Sequence, residues 1–349
     1  MAGPDYGFWA RVLHRFALAG PVSEMSFNLD RMLHASDPET ARLQKHVFVC
    51  GLARAGTTAL MRKLYATGEF CSLTYRDMPF ALAPHFWRKL TGISSREADL
   101  NERAHGDGIL VDFDSPEALE EVFWRVLSGR KYIFSDRLAP MEADSEVIES
   151  FVKYIAALLD TSGSSRYLSK NNNNILRLSS LRVAFPEAAV IIPFRDPIQQ
   201  SLSLYNQHLR FAELHRRDGF ARKYMQWLVH HEFGGDHRPF DVGGSASEYS
   251  PGTPAYWLDQ WIRVYSYLLR QTEYEHDKIL FVEYERLCDS PETAWKAIAG
   301  RTGLPMTTPG GFSLSKPPAR NGLDADKKTT DLALGIYCDM QSRFESMLR

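Results

Sequence analysis

Cysteine is sparse in this chain: Cys50, Cys71, Cys288 and Cys338 are scattered over 349 residues without a Cys-x-x-Cys pair. That excludes a disulfide scaffold and a cysteine zinc site, and makes a reducing cytoplasm the expected location. No run of about eighteen apolar residues occurs, so no transmembrane segment is expected. The start, MAGPDYGFWARVLHRF, has no basic region followed by an apolar one, and export is not expected either. Neither sign of charge dominates: 41 basic side chains face 43 acidic ones, a net charge of −2. With no global field to recruit nucleic acid or an acidic membrane, any anion site must be local. The middle of the chain lacks a Pro/Gly/Ser linker, and no internal repeat is visible. His-Glu-x-x-His, the Gly-x-Ser-x-Gly elbow and zinc-ligand spacings are also missing, which leaves hydrolase chemistry without a nucleophile or metal.

What remains is the balance of a folded globular protein, with 44% hydrophobic, 12% aromatic and 24% charged residues. Phe8, Val12 and Phe16 recur at helical spacing, so residues 1–45 are expected to form a helical extension. Residues 46–349 read as one α/β domain with loop insertions near 77–112 and 233–254. Short apolar runs at 46–50, 189–194 and 278–282 each pass through a turn into helical periodicity. Buried strands alternating with helices predict a P-loop-type, three-layer α/β fold, its central and mostly parallel sheet flanked by helices. Asp196 and Pro197 suit the start of the helix after 189–194, because an aspartate caps free amides and proline has none to satisfy. The run Asn171–Asn174 reads as a turn with capping capacity. Trp257, Trp261, Tyr265 and Leu268 recur as a core stripe. The basic stretch 208–223 is read first as an exposed helix face, with an acceptor entrance as the alternative.

The strongest local signal is Gly51-Leu-Ala-Arg-Ala-Gly-Thr-Thr58 between a strand and a helix. Its glycine spacing is that of a phosphate loop, but Thr57 stands where a nucleotide triphosphatase carries lysine, and the positive charge sits at Arg54. Backbone amides of Ala55, Gly56, Thr57 and Thr58 at a helix start can still cradle an anion. A plain βα turn without ligand is the alternative. A second anion site is expected where Arg195 ends the 189–194 strand and Ser203 follows eight residues on.

Arg54-x-Gly-Thr-Thr58, then Phe185-Pro-x-Ala-x-Val-Ile-Ile-x-x-Arg195-Asp-Pro with Ser203, and later Phe281-Val-Glu-Tyr-Glu-Arg-Leu287, resemble the PAPS-dependent sulfotransferase family over residues 46–300, in its bacterial-type or tyrosylprotein branch. The resemblance implies that the first loop holds the 5′-phosphosulfate of 3′-phosphoadenylyl sulfate (PAPS). Arg195 and Ser203 would then hold its 3′-phosphate, with no metal required. Lys316 and Arg320, in the late loop 307–326, are further candidates for cofactor binding. Two positions depart from the family pattern. Ala55 stands where serine is common, and Asn172 replaces the proline of the family's Lys-x-Pro, whose lysine Lys170 resembles.

Sulfuryl transfer from PAPS needs cations on the transferred and leaving groups and an acceptor for the hydroxyl proton. Arg54 and Lys170 are the expected cations, a solvated lysine being the alternative for Lys170. Asp77, at the family's spacing for a carboxylate base, is the expected catalytic acceptor, with a salt bridge to Arg76 as the alternative and His85, His105 and Asp107 as rivals. The acceptor hydroxyl, on a carbohydrate, lipid, peptide tyrosine or small metabolite, is left open, as is oligomeric state. An ATP- and Mg²⁺-dependent kinase or phosphotransferase and a non-catalytic nucleotide-binding protein are the competing readings.

Overall fold

The computed structural model describes residues 7–33, 37–91, 101–102, 110–111, 118–244, 247–273, 278–312, 314, 316–319, 323 and 325–348. Among them run helices α1 (Phe8–Ala17), α2 (Gly20–Leu33), α3 (Pro38–Arg42), α4 (Thr57–Tyr65), α5 (Pro84–Thr91), α6 (Glu121–Tyr132) and α7 (Ser145–Ser162). They continue as α8 (Leu178–Ala184), α9 (Pro197–Arg217), α10 (Gly219–Trp227), α11 (Pro254–Gln271), α12 (Tyr284–Asp289), α13 (Pro291–Thr302) and α14 (Lys327–Ser346). The strands are β1 (Val47–Val49), β2 (Asn101–Glu102), β3 (Leu110–Val111), β4 (Leu168–Lys170), β5 (Ala189–Phe194) and β6 (Ile279–Glu283). No helix among the described residues is long and apolar enough to cross a membrane.

The main sheet has the order β4-β1-β5-β6, and every neighbouring pair is parallel. Alternation along its strands creates the layers. Phe48, Val190, Ile192 and Phe281 join a core on one face with Phe151, Phe185 and Trp261. Val47, Val49, Leu168, Ile191, Leu280 and Val282 point to the other face, into a core with Leu60, Met61, Trp295 and Ile298. Strands buried on both sides must be apolar throughout, which is why they stand out as continuous runs. The predicted three-layer α/β arrangement is the one observed.

β4 is the element that sequence reading passed over: Lys170, expected in a turn ahead of a helix, is the last residue of an edge strand paired to Val49. The predicted cap forms, with Asp196 accepting from the Gln199 amide at 2.8 Å and Pro197 opening α9. Trp257, Trp261, Tyr265 and Leu268 are buried as a stripe. Arg216 and Arg217 in the basic stretch are exposed and pair with Glu213. At the N-terminal end, Phe27 packs edge-on against Phe123 and Tyr154, and Arg125 donates to the Leu18 carbonyl at 2.9 Å.

A parallel sheet brings the carboxyl ends of its strands to one edge, where ligands of open α/β folds bind. Here that edge collects the loop after β1, Lys170 at the end of β4, Arg195 after β5 and Tyr284 after β6. Sequence-distant residues meet for this topological reason.

Candidate functional site

The turn from β1 into α4 is made by three residues with positive φ. Gly51 has φ +139° and Gly56 +85°, while Arg54 adopts +69°, a left-handed conformation costing a non-glycine residue about 1–2 kcal/mol. Such strain persists where the surroundings over-determine it, and it clusters at ligand clamps. Gly56 is required twice over: besides its φ, a Cβ there would lie 2.5 Å from the Tyr284 ring. The N-cap of α4 is Gly56, which makes no side-chain cap, and the first amides of the helix lie at its positive end. Thr57 and Thr58 are buried at that end.

The loop is tied to the second strand–turn–helix. Arg54 Nε donates to Ser203 Oγ at 3.1 Å, joining the two expected anion subsites directly. Gln200, one turn earlier on α9, donates Nε2 to the Ala53 carbonyl at 3.0 Å and accepts from Trp261 Nε1 at 2.9 Å. Tyr265 adds a hydrogen bond from its hydroxyl to the Pro193 carbonyl, 3.0 Å away. The core stripe of α11 thus serves also to pin the loop, through polar atoms that a hydrophobicity pattern cannot reveal.

Arg195 is buried, its guanidinium 5.3 Å above the Tyr284 ring and its Nε 3.8 Å from Glu285 Oε1. That Nε makes no hydrogen bond. A buried guanidinium is costly unless anions lie near it, and the Glu285 carboxylate meets this Nε at ion-pair rather than hydrogen-bond distance.

Lys170 is 7% exposed, so it is not the solvated lysine of an Asn-rich turn. The turn after it is anchored from below. Asn171 donates to Glu121 Oε2 at 2.5 Å, Asn174 to Glu120 Oε1 at 3.0 Å, and fully buried Arg177 pairs with Glu121 at 2.9 Å. Asn171 also accepts from the Asn173 amide, the capping role expected of the run. Asn172 reaches the other way and donates to Glu232 Oε1 at 3.1 Å. Burial works to raise the Glu232 pKa, but His230, whose Nδ1 lies 3.6 Å from Oε2, and the Lys170 charge outweigh it and hold the carboxyl at about 2.

Asp77 lies in a 3₁₀ turn, Tyr75–Asp77, with both oxygens engaged. Arg88 grips Oδ1 at 2.7 Å and Oδ2 at 3.1 Å, and the Thr74 amide donates to Oδ2 at 2.8 Å. Its ion-pair partner is Arg88 rather than the adjacent Arg76. His85 sits on α5, partly buried. Lys316 is paired at the surface with Asp289, 2.8 Å away. His105, Asp107 and Arg320 lie outside the described residues.

Beside the loop, a shallow cleft is lined by Leu52, Ala53, Glu232, His237, Trp257 and Gln260 among others. The residues missed in sequence are therefore Gln200, Glu232 and Tyr284. Only Tyr284 carried a signal, its place just after the third apolar run.

Burial lowers His46, His231 and His237 to about 4 each. Unfolded histidine titrates near 6.5, so between these values the unfolded chain binds more protons and stability falls as pH falls. Each ring should remove about 1–3 kcal/mol across that window. Glu232 acts lower down: its stabilisation is fully present above the ordinary carboxyl range and is lost progressively as pH falls from there to about 2. Urea midpoints at about pH 7 and pH 5 test this, and equal midpoints would mean that these rings are not desolvated.

The family model described as "Sulfotransferase family" matches residues 46–242. No curated protein sequence matches the chain. Among solved structures, sulfotransferase STF9 from Mycobacterium avium is 16% identical, with a TM-score of 0.49 over 93% of this chain and 75% of that one. Sulfotransferase STF1 from Mycobacterium tuberculosis H37Rv is 15% identical, with a TM-score of 0.46 over 95% and 84%. A sulfotransferase from Alicyclobacillus acidocaldarius is 11% identical, with a TM-score of 0.44 over 87% and 96%.

Proposed function

Because the chain belongs to the sulfotransferase family, we propose that it moves a sulfuryl group from PAPS to an acceptor hydroxyl and releases 3′-phosphoadenosine 5′-phosphate (PAP). The observation that carries this reading is the Arg54–Ser203 hydrogen bond at 3.1 Å, which sets the glycine loop against α9. One strained cation and one hydroxyl thus stand between two places for anions, as a nucleotide with phosphates at both 5′ and 3′ positions requires.

In this reading the amides of residues 55–58 and the Arg54 side chain hold the phosphosulfate. Arg195 and Ser203 hold the 3′-phosphate. The acceptor oxygen attacks sulfur in line with the departing phosphate oxygen, and Lys170 offsets the charge that builds there. A fixed buried cation is worth more than a solvated one, because the local dielectric is low and no reorganisation is needed.

Calorimetric titration with PAP, AMP and ATP, without magnesium, tests the reading. Tight PAP binding with weak AMP binding is expected. Tight ATP binding that improves with magnesium, together with indifference to PAP, would overturn it in favour of phosphoryl transfer. Saturable PAP binding without turnover of PAPS would reduce the chain to a nucleotide-binding protein. Arg195→Ala should weaken PAP by about 1.5–3 kcal/mol, the worth of a charge-assisted contact. The same titration checks it, and unchanged affinity would remove the 3′-phosphate assignment.

A further inference from the structure

We infer that Glu232 is the catalytic proton acceptor and that Asn172 is its positioning residue; this rests on the sulfuryl-transfer reading above. Three observations converge on it. Glu232 lines the same cleft as Leu52 and Ala53 of the anion loop, so an acceptor seated in that cleft would have both the carboxylate residue and the loop among its walls. Glu232 is fixed by the Asn172 amide at 3.1 Å, two residues from Lys170, and it feels the Lys170 charge. Asp77, the rival carboxylate, is fully buried and gripped on both oxygens by Arg88, with Thr74 as a further donor, whereas Glu232 is 11% exposed and holds one hydrogen bond from Asn172 and a longer contact with His230.

The Asn172 side-chain amide supplies the donor that fixes Glu232 Oε1. In the step itself the acceptor oxygen forms a bond to sulfur while the bond from sulfur to the 5′-phosphate oxygen breaks. The electron pair leaves with PAP, facing Lys170, and the hydroxyl proton passes to a Glu232 carboxylate oxygen.

The test uses the full chain and PAPS, with n-butanol and 2-naphthol as probe acceptors and water as background, following PAP formation. Glu232→Gln retains an oxygen to accept from Asn172, so the melting temperature should hold and PAP affinity should stay within about twofold, while PAP formation falls on the order of 10²–10⁴-fold. Glu232→Gly should recover turnover on addition of formate, which a structural role would not allow. Asn172→Ala should lower kcat with PAP affinity kept, and Asn172→Gln should restore part of it. Asp77→Asn should lower the melting temperature and leave kcat per folded molecule in place. Full turnover by Glu232→Gln, or loss of kcat in Asp77→Asn with Glu232→Gln active, would overturn the inference and leave the sulfuryl-transfer reading standing. Failure of the unmodified chain to bind PAP, or to form it from PAPS with any acceptor, would overturn both.

Discussion

Gly56→Ala should leave a folded protein that binds PAP more weakly by about 30-fold or more. Two independent penalties coincide at that residue: a φ of +85°, and a Cβ that would sit 2.5 Å from the Tyr284 ring. The first is worth about 1–2 kcal/mol and the second about 1–3 kcal/mol, because a well-packed ring has to shift. Neither falls on the two cores, so the loss concentrates in the loop, the α4 amides and Arg54. Melting temperature and PAP calorimetry together check it: a modest fall in the first with a large loss in the second is expected. Adding Tyr284→Leu should return the steric part and not the backbone part, so the double variant should recover only some of the affinity. Wild-type PAP affinity in Gly56→Ala would show that the loop does not contact the nucleotide.

The second large effect is expected at Lys170. Lys170→Ala should lower kcat about 10²–10³-fold, the range found when one preorganised electrostatic donor is removed from developing charge. PAP affinity should change far less, since the cation's value rises only as the phosphate oxygen gains charge. Glu232 would also lose a neighbouring positive charge, and Lys170→Arg should recover part of the rate because it restores charge without the same geometry. Single-turnover PAP formation measured beside PAP titration separates the cases. Equal losses in both would assign Lys170 to ground-state binding instead.

The sequence made the β1 loop, the β5–α9 junction and the third core strand readable because each is a local pattern: an apolar run, a turn residue and a return to helical spacing. β4 has only Leu168, Ser169 and Lys170, too short for any period and ending in a charge that reads as surface. Burial of that lysine follows from its register against Val49, a tertiary fact. Asp77 illustrates the opposite limit. Its spacing from Arg54 was visible, but the guanidinium that engages it comes from α5, eleven residues on. Glu232 could not be found at all: it stands in a polar stretch, His230-His-Glu232, and acquires meaning only through Asn172. The pinning roles of Trp261 and Tyr265 were hidden for a related reason, since burial and hydrogen bonding use different atoms of the same ring.

Tyr284 touches both halves of the proposed nucleotide site, its ring filling the space beside Gly56 on one side and lying 5.3 Å from the Arg195 guanidinium carbon on the other. It therefore works as a spacer of fixed length. A ligand whose two phosphates match that length closes the second contact as an intramolecular event, at an effective concentration set by the ligand's own skeleton, whereas a monophosphate must bind each half separately. Discrimination between the two would then reside in the width of one aromatic ring, and a smaller side chain at 284 would blunt the preference even where every phosphate-binding group is kept.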